Sequence, residues 1–173
     1  EWSNNIWQRD LCNDTCYKSA YLFKSIMENH DSYYGLGYFS ISDQLDEIAP
    51  AAEAFHGGFG LFTQNGIAKS AYRAMQLLSR AGDKLIAKGS GYFITASEDE
   101  IQIFLHNYCH YDMLYRYRNT TNLTKTRRYK VFQEKAPRSF HIQLEGVRPG
   151  RHEVRRYGIG RKGGSAYDAW IDM

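Results

Sequence analysis

No run of about 18 apolar residues occurs anywhere in the 173-residue sequence, so a membrane-spanning helix is excluded as its organising element. Charge of one sign is lacking too. With 22 Lys and Arg against 19 Asp and Glu, the net charge of +3 demands neither a nucleic acid nor a membrane surface as partner. Proline is scarce, at 3 residues, and 43% of the chain is apolar, which fits a packed core and not a disordered or fibrous chain. The three cysteines, Cys12, Cys16 and Cys109, cannot all pair. Cys12 and Cys16 stand at helical spacing without a CxxC or a His beside them, so they read as small buried side chains. No metal and no cofactor is expected, and a reduced, cytoplasmic setting fits. Asn13, Asn119 and Asn122 open Asn-x-Thr triplets that would matter only in a secreted protein, and they read as chance. The opening Glu1-Trp2-Ser3 has neither an initiator Met nor the charged-then-apolar order of a signal peptide. A soluble chain that begins inside a longer gene product is the expectation.

What is present falls into two styles. Residues 13–29 open with the capping pair Asn13-Asp14 and place Cys16, Ala20, Phe23 and Met27 on one helical stripe. Residues 33–42 are short, aromatic and carry Gly35 and Gly37, a pattern that predicts a buried strand ending at Asp43. Residues 44–66, with Pro50 and the run FHGGFGLF, predict a long loop of the functional kind. Residues 68–81 predict a second helix, with Ala71, Met75 and Leu78 inward and Gly82 at the C-cap. Helix, strand, loop and helix in this order have the rhythm of βα units on a parallel sheet.

After Gly82 the rhythm changes. Residues 85–111 predict two alternating strands joined by Ser97 to Glu100, and 139–145 with 151–157 predict another pair around Arg148-Pro149-Gly150. A last strand is expected near Ala169 to Asp172, and the basic segment from Arg116 to Pro137 reads as an extended loop. Its charges, set in a loop with interleaved tyrosines, lack the groove-fitting element that nucleic-acid binding needs.

Several ordered segments resemble glycoside hydrolase family 39. Glu1-Trp2-Ser3-Asn4 is similar to the Thr-Glu-Trp-Asn motif that ends the family's seventh barrel strand. Tyr38-Phe39-Ser40-Ile41-Ser42-Asp43 is similar to its eighth strand, and Phe55-His56-Gly57-Gly58-Phe59-Gly60-Leu61 resembles its His-Gly-Gly loop. Asn107-Tyr108, His110-Tyr111 and the end Ala169 to Met173 are similar to its accessory domain. The resemblance implies an α/β plus all-β chain: the C-terminal end of a (β/α)8 TIM barrel over residues 1–82, followed by an antiparallel β-sandwich over 83–173.

It also implies roles. Glu1 would be the catalytic nucleophile of a retaining β-xylosidase, in which two carboxyls stand about 5 Å apart. Trp2, Tyr38 and Phe39 would offer an apolar platform to the sugar, and Asp46, Glu47 and His56 would meet its hydroxyls. Each has an ordinary alternative: barrel core for the aromatic rings, solvated loop charge for Asp46 and Glu47, and a lock on the Gly57-Gly58 turn for His56. Ser3, Phe39 and Asp46 depart from the family's Asn, Trp and Glu, and the family's acid/base motif Asn-Glu-Pro is absent from the sequence. The implied partners are a carbohydrate ligand and the upstream part of the same parent chain, with no membrane. The fragment by itself would then be inactive. A second expectation is a sugar-sensing domain of an AraC-type regulator, which would touch DNA only through a separate upstream domain.

Overall fold

The structure, a computed structural model, describes residues 2–49, 51–111, 124, 126–132 and 136–173. Asp10 accepts a hydrogen bond from the Cys12 amide and starts a 3-10 turn over Leu11–Asp14. Thr15 closes that turn and caps helix α1, Cys16–Asn29, its side chain accepting from the Tyr17 amide. The expected helix thus begins three residues late, because Asn13 and Asp14 are spent on the turn. Its buried face is also different. Tyr17, Lys18, Ser19, Leu22 and Phe23 are buried, and of the expected stripe only Phe23 is. The reason is that α1 is packed from two sides. Leu22 and Phe23 join one apolar cluster with Ala71, Ala74, Phe93 and Phe104, while Tyr17 joins another with Cys12, Tyr111, Val131 and Phe132.

Residues 33–42 do not form the expected buried strand. Residues 33–35 are exposed, and a Cβ at Gly35 or Gly37 would meet nothing within 4 Å. Only the far end of the segment pairs, through single parallel bridges of Tyr38 with Trp2 and of Ser42 with Phe62. The Phe39 amide donates to the Trp2 carbonyl at 3.2 Å, and the Asp43 amide to the Phe62 carbonyl at 3.0 Å. Residues 2, 38–43 and 61–62 therefore lie in three adjacent rows. Helix α2, Ser70–Leu78, follows with Ala71 and Ala74 fully buried against α1. It stops at Ser79 instead of Gly82, whose amide donates to Thr95 Oγ1 at 3.0 Å and so serves the sheet.

The second half contains a three-stranded antiparallel sheet in the order β1 (Lys84–Gly89), β2 (Tyr92–Ala96) and β3 (Ile101–Leu105). The β2–β3 hairpin turns at Ser97 to Glu100 as the alternation predicts. The stretch before it splits into two strands, because Ser90-Gly91 makes a turn that the sequence reading passes over. Phe93 faces Phe104 across the ladder with rings stacked at 4.2 Å, and both pack on Phe23. Burying a ring of this size contributes about 1.5–3 kcal/mol, so helices and sheet share one core across residues 82–84.

Two further expectations fail. Segments 139–145 and 151–157 run mostly exposed and form no strands. The segment near Ala169 to Asp172 belongs to a short helix, α3 (Ala166–Ile171), because the Ser165 hydroxyl caps the Asp168 amide. Of the basic segment, Arg128–Val131 form a 3-10 turn, while 116–123, 125 and 133–135 lie outside the described residues.

Candidate active site

The loop after Asp43 folds back so that Phe55 to Gly60 run over the start of α1 and the N-terminus of α2. A buried charge network forms there. Lys69 Nζ lies 2.8 Å from Asp14 Oδ1 and 2.7 Å from Asp43 Oδ2, and also donates to the Gly58 carbonyl at 3.1 Å. Arg128 Nη1 meets Asp14 Oδ2 at 2.6 Å, and its other nitrogen donates to the Phe55 carbonyl. The Gly57 amide donates to Asp14 and the Gly60 amide to Asp43, at 2.8 and 2.7 Å. Burial pushes the Asp43 carboxyl above its ordinary range, against the pull of Lys69.

Beside this network stand Asp46 and His56. The Asp46 carboxylate is fully buried, with His56 Nε2 at 3.7 Å and Arg9 Nη1 at 4.0 Å. His56 is anchored by its other ring nitrogen, 3.0 Å from the Glu53 carbonyl oxygen, which aims Nε2 at Asp46 and, at 4.0 Å, at Asp43. Donor atoms of Asp43, Asp46 and His56 all lie within 4.8 Å of one another, a set that a divalent cation could use. Lys69 already contacts both Asp43 oxygens, however, so the protein supplies its own cation there.

Desolvation raises the Asp46 pKa above 3.8, offset in part by the Phe59 amide and then by Lys69, His56 and Arg9. In the window that starts near that value the unfolded chain has released its proton while the folded chain retains it, so stability falls as pH rises through the window. Asp46→Asn should therefore raise the urea midpoint at pH 7 and flatten this part of the pH–stability curve. A lower midpoint at pH 7 would contradict the burial argument.

The remaining residues expected at the site divide. Glu1 lies outside the described residues. Trp2 is half-buried, stacked on Tyr21 at 5.4 Å and edge-on to Tyr38 at 6.1 Å. The Tyr38 hydroxyl donates to the Phe59 carbonyl at 2.8 Å, and burial holds its pKa well above the usual phenol range. Phe39 packs edge-on against Phe59 at 5.9 Å, next to a cis Phe39–Ser40 peptide. Glu47 is exposed, accepting from Gln8 Nε2 at 3.2 Å. The backbone thus brings together Trp2, Tyr38 and Phe39 on adjacent rows and Asp46 with His56 in the loop, and leaves Glu47 at the rim.

The chain matches the family described as Glycosyl hydrolases family 39 over residues 1–173. It belongs to glycosyl hydrolase family 39. This family 39 chain is 36% identical over 87 residues to a β-xylosidase of Caldicellulosiruptor saccharolyticus, covering 50% of the chain and 18% of that protein. It is 29% identical over 86 residues to a β-xylosidase of Geobacillus stearothermophilus, covering 50% and 17%. The chain spans less than a fifth of the length of these two relatives. In fold it is similar to a monomeric β-xylosidase from Caulobacter crescentus, with a TM-score of 0.59 and 24% identity over 65% of the chain and 23% of that structure. It is likewise similar to the GH39 enzyme from Xanthomonas axonopodis pv. citri, with a TM-score of 0.58 and 22% identity over 63% and 22%.

In the family 39 chain the glycine run has a steric cause. Gly57 has φ +86°, and a Cβ on Gly58 would lie 2.5 Å from Asp43 Oδ1 and 2.6 Å from Asp46 Oδ2. Only a bare backbone passes between the two carboxylates. Sequence reading missed Asp14, Lys18, Lys69 and Arg128, four fully buried charged residues. The one local signal was the place of Asp14 just before a helix, which reads equally well as capping.

Proposed function

We propose that this chain is part of a retaining, β-xylosidase-like glycoside hydrolase, with Glu1 as the nucleophile. In this reading residues 1–82 are the last strands and helices of a (β/α)8 barrel, and 83–173 are an accessory β-sandwich. The observation that carries it is the pair of parallel bridges, Trp2 with Tyr38 and Ser42 with Phe62. The first sets residue 2 beside residues 38–43, the segments read as the seventh and eighth strands, in one direction as consecutive barrel strands would run, which supports placing Asp43 at a strand end, where barrel active sites lie. Trp2, Tyr38 and Phe39 would face the sugar's C–H surface and the exposed Glu47 its hydroxyls, while Asp46 and His56, closed off beside one another, would meet a hydroxyl only where the rest of the parent chain opens the loop and otherwise hold its shape.

The second carboxyl comes from outside these 173 residues, which hold no Asn-Glu-Pro triplet, so the fragment alone is inactive. A reducing, cytoplasmic setting belongs to this reading, since three cysteines are an odd number and cannot all pair with one another. Among the described residues no helix is long and apolar enough to cross a membrane. The test is hydrolysis of an aryl β-xyloside by the parent protein, followed by anomer-resolved NMR. The β-anomer should appear first, since two displacements each invert the centre. First release of the α-anomer would remove the covalent mechanism. Sugar binding without any hydrolysis would instead favour the regulator alternative, which no feature of the site supports.

A further inference from the structure

Lys18 is fully buried on α1, yet among the described residues its hydrogen-bond partners are all neutral. Its ammonium donates to Ser3 Oγ at 2.8 Å, to Asn4 Oδ1, and to Asn13 Oδ1 at 3.3 Å. It also stands 5.5 Å from the ring centres of Tyr21 and Tyr38. Two of its acceptors are consecutive residues directly after Trp2, and Tyr21, one turn further along α1, donates from its hydroxyl to the Ser3 carbonyl at 3.0 Å. The helix thus grips Ser3 by both its side chain and its backbone.

Burying an ammonium without a carboxylate beside it is costly. That cost falls on the Lys18 pKa: desolvation lowers it to about 7, with Asp10 and Cys12 pulling upward and Lys69 downward. An apolar side chain would fill the same space without that penalty, but it would not hold Ser3 and Asn4.

We propose that Lys18 is a positioning residue: its clasp on Ser3 and Asn4 fixes the backbone that carries Glu1 and so sets the attack geometry of the nucleophile. The inference rests on the hydrolase reading for its catalytic consequence, and on the geometry of residues 3, 4, 13 and 18 for the clasp itself. Glu1 is bonded to Trp2, so residues 2–4 are the covalent anchor from which its carboxylate must reach the substrate. A misplacement of about 1 Å at a reacting group can cost about a hundredfold in rate. Lys18 itself touches no substrate in this scheme.

The test uses the full-length parent protein and two readouts. The first is covalent trapping by a 2-deoxy-2-fluoro-xyloside with a dinitrophenolate leaving group, which separates binding from attack. In Lys18→Met the rate constant of trapping should fall by about tenfold or more while the inhibitor dissociation constant stays within about twofold. Lys18→Gln, which keeps one donor, should recover part of the loss. Ser3→Ala, which removes one acceptor and keeps the rest of the fold, should show a smaller loss of the same kind.

The second readout is hydrogen exchange, which needs no activity. Peptides covering residues 2–8 should exchange about tenfold faster in Lys18→Met, with α2 unchanged. Trapping rates within twofold of wild type in a folded variant, or unchanged exchange at residues 2–8, would overturn the proposal. A wild-type parent that is neither trapped nor active would end the hydrolase reading and the catalytic half of the inference, while the exchange data would still decide the clasp.

Discussion

Glu1→Gln in the parent protein should lower turnover of an aryl β-xyloside by about a thousandfold or more while leaving thermal unfolding and sugar binding nearly unchanged. The amide has almost the shape of the carboxylate but no charge with which to attack the anomeric carbon. A substrate with a dinitrophenolate leaving group should not restore the rate, since the missing step is bond formation by the nucleophile and not protonation of the leaving oxygen. Steady-state kinetics with calorimetric binding on both proteins make the comparison. Undiminished hydrolysis in the variant would take the nucleophile role away from Glu1.

Lys69→Met should destabilise the protein by about 3–5 kcal/mol, because it leaves the buried carboxylates of Asp14 and Asp43 without the cation between them. The deficit should depend on pH with a definite sign. Burial already raises the Asp43 pKa with Lys69 in place, and removing the cation raises it further. Above the unfolded value of 3.8 the folded state then holds a proton that the unfolded state has lost, so the variant loses stability as pH rises and regains it on acidification. Urea unfolding at pH 7 and pH 5 should show a smaller gap between variant and wild type at pH 5. Equal gaps would mean that the carboxylates do not carry the penalty.

The sequence is a good guide where one periodicity decides. The helices around Phe23 and Ala74, and the hairpin that faces Phe93 with Phe104, follow from spacings of about 3.6 and 2 residues and need no partner to be recognised. It is a poor guide where a residue's role depends on a distant one. Lysines and arginines read as surface, yet Lys18, Lys69 and Arg128 are fully buried, each because acceptors from remote parts of the chain converge on it. Turn chemistry explains other misses. Ser165 with Asp168 is a cap three residues apart that outweighs the strand-like look of Ala169 to Asp172, and Ser90-Gly91 divides a stretch that reads as one strand.

At the candidate site, the His56-Gly57-Gly58 loop and the aromatic residues Trp2, Tyr38 and Phe39 stand out in the sequence. The ion network beneath them does not, because no local pattern links Asp14 to Arg128. Asp46 illustrates the difference. As a loop carboxylate it looks solvated, and only the fold reveals that its side chain is closed off beside His56 and Arg9.

The pairing of Asp14 with Arg128 spans 114 residues of chain. On a ribosome adding roughly 5–20 residues per second, Asp14 emerges on the order of 10 s before its guanidinium partner. Through that interval the nascent helices can pack on one another, but the loop from Phe55 to Gly60 lacks the group that ties the Phe55 carbonyl to Asp14. Completion of this network is therefore a late step for this stretch of chain, coupled to synthesis of the segment around residue 128, and a nascent chain stalled before that residue would expose an unfinished anionic hollow to chaperones and proteases.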